Sequence, residues 1–346
     1  MLRASNRWAL WTAISLAVVL GAVLIPTTVV AGQEATELVT VFESGGISER
    51  TAAEVAELGG PVYERHSGTL RMMSVARGDQ TIQTFPSGMG VPMSVSSWDS
   101  ASAAAFAGPL VSPLLAQDGV VMSSRSAALR GAAAGDTVEL EGWNGALVEL
   151  EVVGIVDDAD LGWSELAMNR AVAESLGFSR VSLVATPGDD DDAAALRNRL
   201  ADLPVRVSGP GDDVDRTDFV LPTVLVKQRF GEFSFRPTRG DAIEIDPAWE
   251  EANIVTVDVE PLGLFECHRL VVPYIRSAVE DLRSTGLLAE VDPGDFQLAG
   301  GCFNARLIRG GDKGFALSRH SWGIGIDINP STNRYDGAVS LSEEFG

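Results

Sequence analysis

Two residues that could bind a metal stand seven positions apart in a chain with only three histidines: His320 and Asp327, in the sequence SRHSWGIGIDIN. Around them apolar residues alternate with small or polar ones, which predicts a strand with one side in a core. The alternating apolar residues are Ile324, Ile326 and Ile328. Gly323, Gly325 and Asp327 would then share the other side, where two residues without side chains leave a hollow beside the carboxylate. An imidazole and a carboxylate beside an open position are typical of a catalytic zinc site.

The wider pattern resembles a peptidase signature. Ser318, His320, Gly323, Gly325 and Asp327 match S-x-H-x-x-G-x-A-x-D, the motif of the D-alanyl-D-alanine carboxypeptidase (VanY-like, LAS-type) zinc peptidases, with glycine in place of the usual alanine at residue 325. The longer sequence GGCFNARLIRGGDKGFALSRHSWGIGIDINPSTN resembles the extracellular branch of this group throughout.

This resemblance implies a mechanism. It makes His320 and Asp327 ligands of Zn²⁺, which would lower the pKa of a bound water and polarise the scissile carbonyl. It makes Arg306 the residue that stabilises the oxyanion. The resemblance places Ser318 near the substrate. A purely structural role, in which its hydroxyl only fixes the loop, is an equally good alternative. The implied substrate is the peptidoglycan stem peptide, cleaved by a carboxypeptidase or a related endopeptidase.

The third ligand of the family, a histidine in a short Asp-x-x-His-like segment, lies downstream of the aspartate, as does its glutamate base. Here 19 residues follow Asp327, and none is a histidine. Glu343 and Glu344 resemble the start of a helix more than a general base. We therefore expect a truncated peptidase that binds zinc weakly or not at all and that is inactive in this form. The alternative is a non-catalytic extracytoplasmic binding or scaffold protein with a degenerate peptidase domain.

The N-terminus predicts export. Arg3 and Arg7 precede an uncharged apolar run over residues 8–31 that ends in small residues, which is typical of a secretory signal peptide. The run is also long enough to cross a bilayer, so residues 1–31 are either a cleaved signal or a membrane anchor. Both alternatives place the rest of the chain outside the cytoplasm. The net charge of -22 argues against nucleic-acid binding, which needs clustered basic residues.

Outside the cytoplasm an even number of cysteines favours a disulfide, so we predict a bond between Cys267 and Cys302. Two separate buried thiols are the alternative. After Cys267, an apolar stripe at helical spacing predicts a helix that ends at Gly286. The stripe consists of Val271, Ile275, Ala278, Val279 and Leu282. His268 is expected to be structural, because neighbouring residues point in different directions and Cys267 and His268 would not share a metal.

The chain as a whole predicts an α+β protein. Helices and strands alternate over residues 34–207, where GVVMSSRSAALRGAAAGDTVELEG and then VELEVVGIV resemble the extracytoplasmic domain of MacB-type transporter permeases. That resemblance implies a mechanical or protein-binding module. Gly, Pro and Asp after it predict a linker over 208–240, followed by the peptidase-like domain 241–346 with a small antiparallel sheet and helices. Asp189–Asp192 are expected to cap a helix rather than to bind calcium.

Overall fold

Helices and strands are mixed throughout the described part of the chain, which confirms the α+β expectation at that coarse level. The computed structural model describes residues 37–43, 45–178, 180–212, 221–298, 300–309, 314–333 and 341–342. The predicted signal or anchor, residues 1–31, lies outside these ranges. Within them, helices are too short or too polar to cross a membrane.

The strands and helices are numbered in chain order. The strands are β1 (Leu38–Glu43), β2 (Tyr63–Arg77), β3 (Gln80–Thr84), β4 (Val91–Trp98), β5 (Gly119–Ser123), β6 (Thr137–Glu141), β7 (Leu147–Val156), β8 (Leu166–Asn169), β9 (Val181–Pro187), β10 (Val205–Ser208), β11 (Phe235–Pro237), β12 (Ile243–Ile245), β13 (Ile254–Val259) and β14 (Gly263–His268). The α-helices are α1 (Glu49–Ala56), α2 (Ser100–Phe106), α3 (Gly108–Leu115), α4 (Ser124–Arg130), α5 (Arg170–Ser175), α6 (Asp190–Arg199), α7 (Thr223–Phe230), α8 (Pro247–Asn253), α9 (Val272–Thr285) and α10 (Pro293–Leu298). Short 3₁₀ turns are Asp158–Leu161, Leu287–Glu290 and Arg319–Trp322.

The long strand β2 organises the N-terminal part, because it pairs with four other strands along its 15 residues. Its first residues pair with β9, its middle with β4, and its last residues with β6 and β3. The order β2-β4-β8-β5-β7-β6 returns to β2, so six strands close into a ring. Each strand of this ring is paired on both sides, as in a barrel.

Alternating apolar residues fill the inside of the ring, since every second side chain of a strand points to the same face. These residues are almost completely buried. They include Leu70, Met72, Val91, Met93, Val120, Met122, Val138, Leu140, Leu166 and Met168. The core of the N-terminal module is therefore the interior of the ring.

Strands β9, β1 and β10 extend the sheet from β2 in antiparallel order. Helices α1 and α6 pack against these strands around Val41, Val55 and Leu196, which form a separate core. Helix α6 begins with a capping box, in which the Asp189 side chain accepts from the backbone of Asp192 and the Asp192 side chain accepts from the backbone of Asp189. The predicted capping role of the aspartate run is thus confirmed.

The C-terminal part combines short strand pairs with helices. Strands β11 and β12 form one antiparallel pair and β13 and β14 another. Helix α9 has Ile275 and Val279 of the predicted stripe buried, whereas Ala278 is exposed, and its C-cap is Gly286, where φ is 83°. This prediction is confirmed, because the stripe and the left-handed glycine are both local signals.

The structure corrects the predicted linker over 208–240. Residues 213–220 lie outside the described part, but helix α7 and strand β11 fall within the predicted linker. Val226 and Phe230 of α7 are buried in the C-terminal core, and Lys227 is 1% exposed. The glycine- and aspartate-rich composition belongs only to the start of the range, and the apolar residues that follow need a core. From Glu37 onward the chain packs as one unit.

Candidate metal centre

His320 lies in a short turn that its neighbours hold in place. Ser318 caps the 3₁₀ turn Arg319–Trp322, since its Oγ accepts from the backbone N–H of His320 at 3.4 Å. At the other end Trp322 is 1% exposed and donates from its indole Nε1 to the carbonyl of Gly231 at 3.1 Å. A hydroxyl at one end and a buried indole at the other therefore fix the backbone that carries the imidazole.

The turn ends at Gly323, where only glycine fits. Its φ is 66°, and a Cβ there would lie 2.7 Å from the backbone N of His268. The N–H of His268 donates to the Gly323 carbonyl at 2.9 Å. Cys267 and Cys302 form a disulfide beside this contact, and the Cys302 sulfur lies 3.0 Å from the Gly323 oxygen. The backbone hydrogen bond thus attaches the turn to β14, and the disulfide joins β14 to the segment that contains Cys302.

The two predicted ligands meet. Nε2 of His320 lies 3.2 Å from Oδ2 of Asp327, with the histidine side chain 8% exposed and the aspartate 45% exposed. A Cβ at Gly325 would lie 2.9–3.1 Å from ring atoms of His320. The motif S-x-H-x-x-G-x-A-x-D has alanine at the position of Gly325. The absence of a Cβ at this glycine gives the imidazole of His320 room to approach the carboxylate of Asp327. The predicted hollow is there, and the His320 ring fills it.

The predicted strand around these residues is wrong. Residues 324–327 have no strand assignment, and Ile326 is 40% exposed. Ile324 and Ile328 are partly buried, but they pack against two different cores. The alternation of side chains still holds, because Gly325 and Asp327 both face His320. A strand also needs a hydrogen-bonded neighbour, and a five-residue pattern does not supply one.

Arg306 lies directly beside the turn. Its carbonyl accepts from the backbone N–H of Ser318 at 3.1 Å. The Ser321 hydroxyl donates to the same carbonyl at 2.7 Å and accepts from the Arg306 N–H at 3.0 Å. Ser321 is completely buried, so this double contact sets the position of Arg306 against the histidine turn. This role was not predicted, since Ser321 occupies a variable position of the motif.

Arg306 also interacts with Asp327 through charge. Burial lowers the pKa of Arg306 and so does Arg309, whereas Asp327 and Asp241 act in the opposite direction. Arginine nevertheless stays protonated in proteins. The centre therefore brings a cation, a carboxylate and an imidazole together on two adjacent segments of the chain.

The donor set fits part of a zinc site. Two ligands of a tetrahedral zinc with bonds of about 2.0 Å lie about 3.3 Å apart, close to the observed 3.2 Å between Nε2 and Oδ2. A catalytic zinc uses three protein ligands. Among the described residues, however, no three His, Cys, Asp or Glu side chains lie close enough together to hold a metal. The described residues thus supply two of the three ligands that such a site would need.

The other two histidines lie elsewhere. His268 is buried, its Nε2 lies 3.1 Å from the Phe230 carbonyl, and its Nδ1 accepts from the Leu270 N–H at 3.2 Å. Both ring nitrogens are engaged with the backbone, which agrees with the expected structural role. His66 is buried in β2, with Nε2 3.6 Å from Oε2 of Glu64.

No protein-family model matches this chain, and a comparison with curated proteins found no match.

Proposed function

We propose that this protein is a zinc-dependent peptidase of the D-alanyl-D-alanine carboxypeptidase type, acting on peptidoglycan stem peptides. The observation that carries this proposal is the approach of His320 Nε2 to Asp327 Oδ2 at 3.2 Å. Both residues occupy the metal-ligand positions of the motif that the sequence resembles. Their separation also suits neighbouring ligands of one zinc ion.

Each residue of the centre has a role in this proposal. Zinc, when bound, activates a water and polarises the scissile carbonyl. His320 and Asp327 hold two of its coordination positions. Arg306 stabilises the negative charge that develops on the carbonyl oxygen. Ser318 fixes the turn through its contact with the His320 N–H. A third ligand and a general base are required from outside the described residues.

We further propose that the protein works outside the cytoplasm. The disulfide between Cys267 and Cys302 supports this, since such bonds persist in oxidising compartments. The apolar run over residues 8–31 would act as the signal or anchor.

A second candidate is a non-catalytic binding or scaffold protein. It is favoured by one observation, namely that the described residues supply two metal donors to the centre and not three. In that case the N-terminal module would carry the function and the His–Asp pair would be structural.

Zinc content separates the two candidates. The purified chain, incubated with zinc and then desalted, is analysed for metal, and a peptide ending in D-Ala-D-Ala is tested for release of D-alanine. A peptidase with three ligands should retain about one zinc per chain and be inhibited by a chelator, whereas a form with His320 and Asp327 as its only ligands should retain less. His320→Ala and Asp327→Ala should both lose the metal, while Asp258→Ala, an exposed carboxylate of β13, should not.

The outcome depends on the third ligand. If the gene encodes a longer product with a further histidine, that product should bind zinc more tightly than the 346-residue chain. The peptidase proposal is overturned if neither form retains zinc, or if His320→Ala retains as much zinc as the unaltered protein.

A further inference from the structure

The backbone around Asp327 is hydrogen-bonded at its two ends and not between them. Within the described part of the chain, the backbone of residues 325–328 makes no hydrogen bond. Before this segment, the N–H of Ile324 donates to the carbonyl of Arg319 at 3.3 Å. After it, Asn329 is 8% exposed and is bound through its side chain. The position of the backbone that carries Asp327 therefore depends on these two ends.

Asn329 uses both ends of its amide on one turn of the protein. Its Oδ1 accepts from the N–H of Asp292 at 2.8 Å, and its Nδ2 donates to the carbonyl of Glu290 at 2.6 Å. Val291, between these two residues, is 7% exposed and belongs to the C-terminal core around α9. An aspartate at position 329 could accept but could not donate, so the amide is the group that satisfies both backbone partners. Asn329 thus attaches the chain to a buried turn.

The backbone of Asn329 also suits an asparagine. Its φ is 49°, in the left-handed region that asparagine enters more readily than most residues other than glycine. Its carbonyl accepts from the N–H of Thr332 at 3.0 Å and from that of Asn333 at 2.8 Å, so a tight turn follows Ile328 directly. Ile328 itself packs against the core that contains the anchoring turn. The chain is thus fixed and redirected two residues after Asp327.

We propose that Asn329 is a positioning residue of the candidate metal centre, which holds the carboxylate of Asp327 within reach of His320. The Asp327 side chain is 45% exposed, so its surroundings leave it free on one side, and its approach to His320 depends on where its backbone lies. Asn329 acts only through Asp327. The inference rests on the proposed function insofar as Asp327 is a zinc ligand, but the distance between the two side chains can be tested without zinc.

The first measurement therefore uses the metal-free protein. The full chain is labelled with ¹⁵N-histidine, and the imidazole signals of His320 are those that disappear in His320→Gln. Asn329→Gly tolerates the left-handed backbone and removes both amide hydrogen bonds. It should move the His320 signals toward their positions in Asp327→Ala, because both changes take the carboxylate away from Nε2. The signals of His66 and His268 should stay in place.

Two controls separate positioning from a general loss of stability. Asn144→Gly removes an amide that also accepts from one backbone N–H and donates to one carbonyl, but in the N-terminal module. Val279→Ala removes buried apolar volume from the core in which Ile328 packs. Urea unfolding should show that Val279→Ala destabilises the protein at least as much as Asn329→Gly does. Neither control should move the His320 signals.

The second measurement is zinc affinity. Asn329→Gly should weaken zinc binding about tenfold, at the lower end of the cost of losing an outer-shell partner. Both controls should keep the affinity of the unaltered chain. If the unaltered chain binds no zinc, the peptidase proposal fails, and the metal-free spectra still decide the role of Asn329.

The inference is overturned if Asn329→Gly leaves the His320 signals in place, or if Val279→Ala moves them equally far. In a chain that binds zinc, an unchanged affinity of Asn329→Gly also overturns it. Should this variant fail to fold, Asn329→Asp is measured in its place with the same criteria, since it keeps the acceptor for the Asp292 N–H and loses the donor.

Discussion

Lys227 Nζ lies 2.8 Å from Oε1 of Glu165, and both side chains are completely buried. Lys227 belongs to helix α7, whereas Glu165 directly precedes β8 of the ring, so this ion pair joins the C-terminal part of the chain to the N-terminal module. Arg130 and Glu232 complete the cluster, with Glu232 Oε1 2.9 Å from the lysine nitrogen. Burial alone would raise the pKa of Glu232, but Lys227 and Arg130 outweigh it and the pKa is lowered.

Removing the lysine from this cluster should be costly. Lys227→Met leaves two buried carboxylates with a single cation, and breaking a buried pair in this way typically costs about 3–5 kcal/mol. Arg236→Met is the matched control, because its ion pair with Glu244 is exposed and is worth about 0–1 kcal/mol. Urea unfolding at neutral pH measures both variants. Similar losses for the two would show that the buried cluster has no special role in stability.

The stability of the fold should depend on His268 in mild acid. Burial lowers the pKa of His268, against the opposing effect of its hydrogen bond to the Phe230 carbonyl. As the pH falls below about 6.5, the unfolded chain takes up a proton there that the folded chain does not. The contribution of neutral His268 to the free energy of unfolding is therefore complete above this pH. Below it, this contribution decreases by up to about 1.4 kcal/mol per pH unit.

His268→Gln should reduce this pH dependence. The free energy of unfolding is compared at pH 7.5 and pH 5.5 for both proteins, and the carboxylates contribute equally to the two. The decrease on acidification should be smaller in the variant. If both proteins lose the same free energy, His268 is not buried in its neutral form.

The disulfide should stabilise the C-terminal part. Cys267 and Cys302 are 35 residues apart, and chain-entropy arguments give roughly 3–4 kcal/mol for a loop of that size. Replacing both by serine should lower the free energy of unfolding by about this amount. Mass spectrometry of non-reduced peptides should show the two cysteines linked. Two free thiols in exported protein would contradict the bond.

Arg306 and Arg309 should differ in their effect on catalysis. If the protein is the proposed zinc peptidase, Arg306→Ala should keep the metal and lower kcat by about 10²–10³, the usual cost of losing one oxyanion donor. Arg309 is the control, since its side chain is 71% exposed and pairs with Asp241. Arg309→Ala should leave kcat unchanged. Loss of zinc from Arg306→Ala would assign the arginine to the structure of the centre instead.

Local signals in the sequence predicted helix α9 and the approach of Asp327 to His320. The helix followed from an apolar stripe and a final glycine, and the approach was expected because both residues match ligand positions of the motif that the sequence resembles. Lys227 could not be predicted in the same way. Its partner Glu165 is 62 positions away in the sequence. Because lysines are rarely buried without a partner, a lysine in a helix is predicted to be exposed unless that partner is known.

The strand predicted over Ile324–Ile328 failed for a related reason. An alternating pattern states which side chains share a face, but pairing depends on a second segment that the pattern does not identify. The predicted linker was wrong because only the first residues of 208–240 are rich in Gly, Pro and Asp. The prediction applied that composition to the whole range. Ser321 was missed because a serine contacting a distant backbone looks the same in sequence as an exposed serine.

The placement of β1 in the sheet has a consequence for how the chain is made. Thr40 of β1 pairs with Ala185 of β9 and with Ser208 of β10, both far along the chain. At about 5–20 residues per second, a ribosome needs on the order of 10 s to deliver those partners. During that time the backbone of β1 is unpaired and Val39 and Val41 are uncovered, which invites association with other nascent chains. The first strand to be synthesised is thus stabilised only after β9 and β10 have emerged, and a chain interrupted before residue 181 leaves it permanently without either partner.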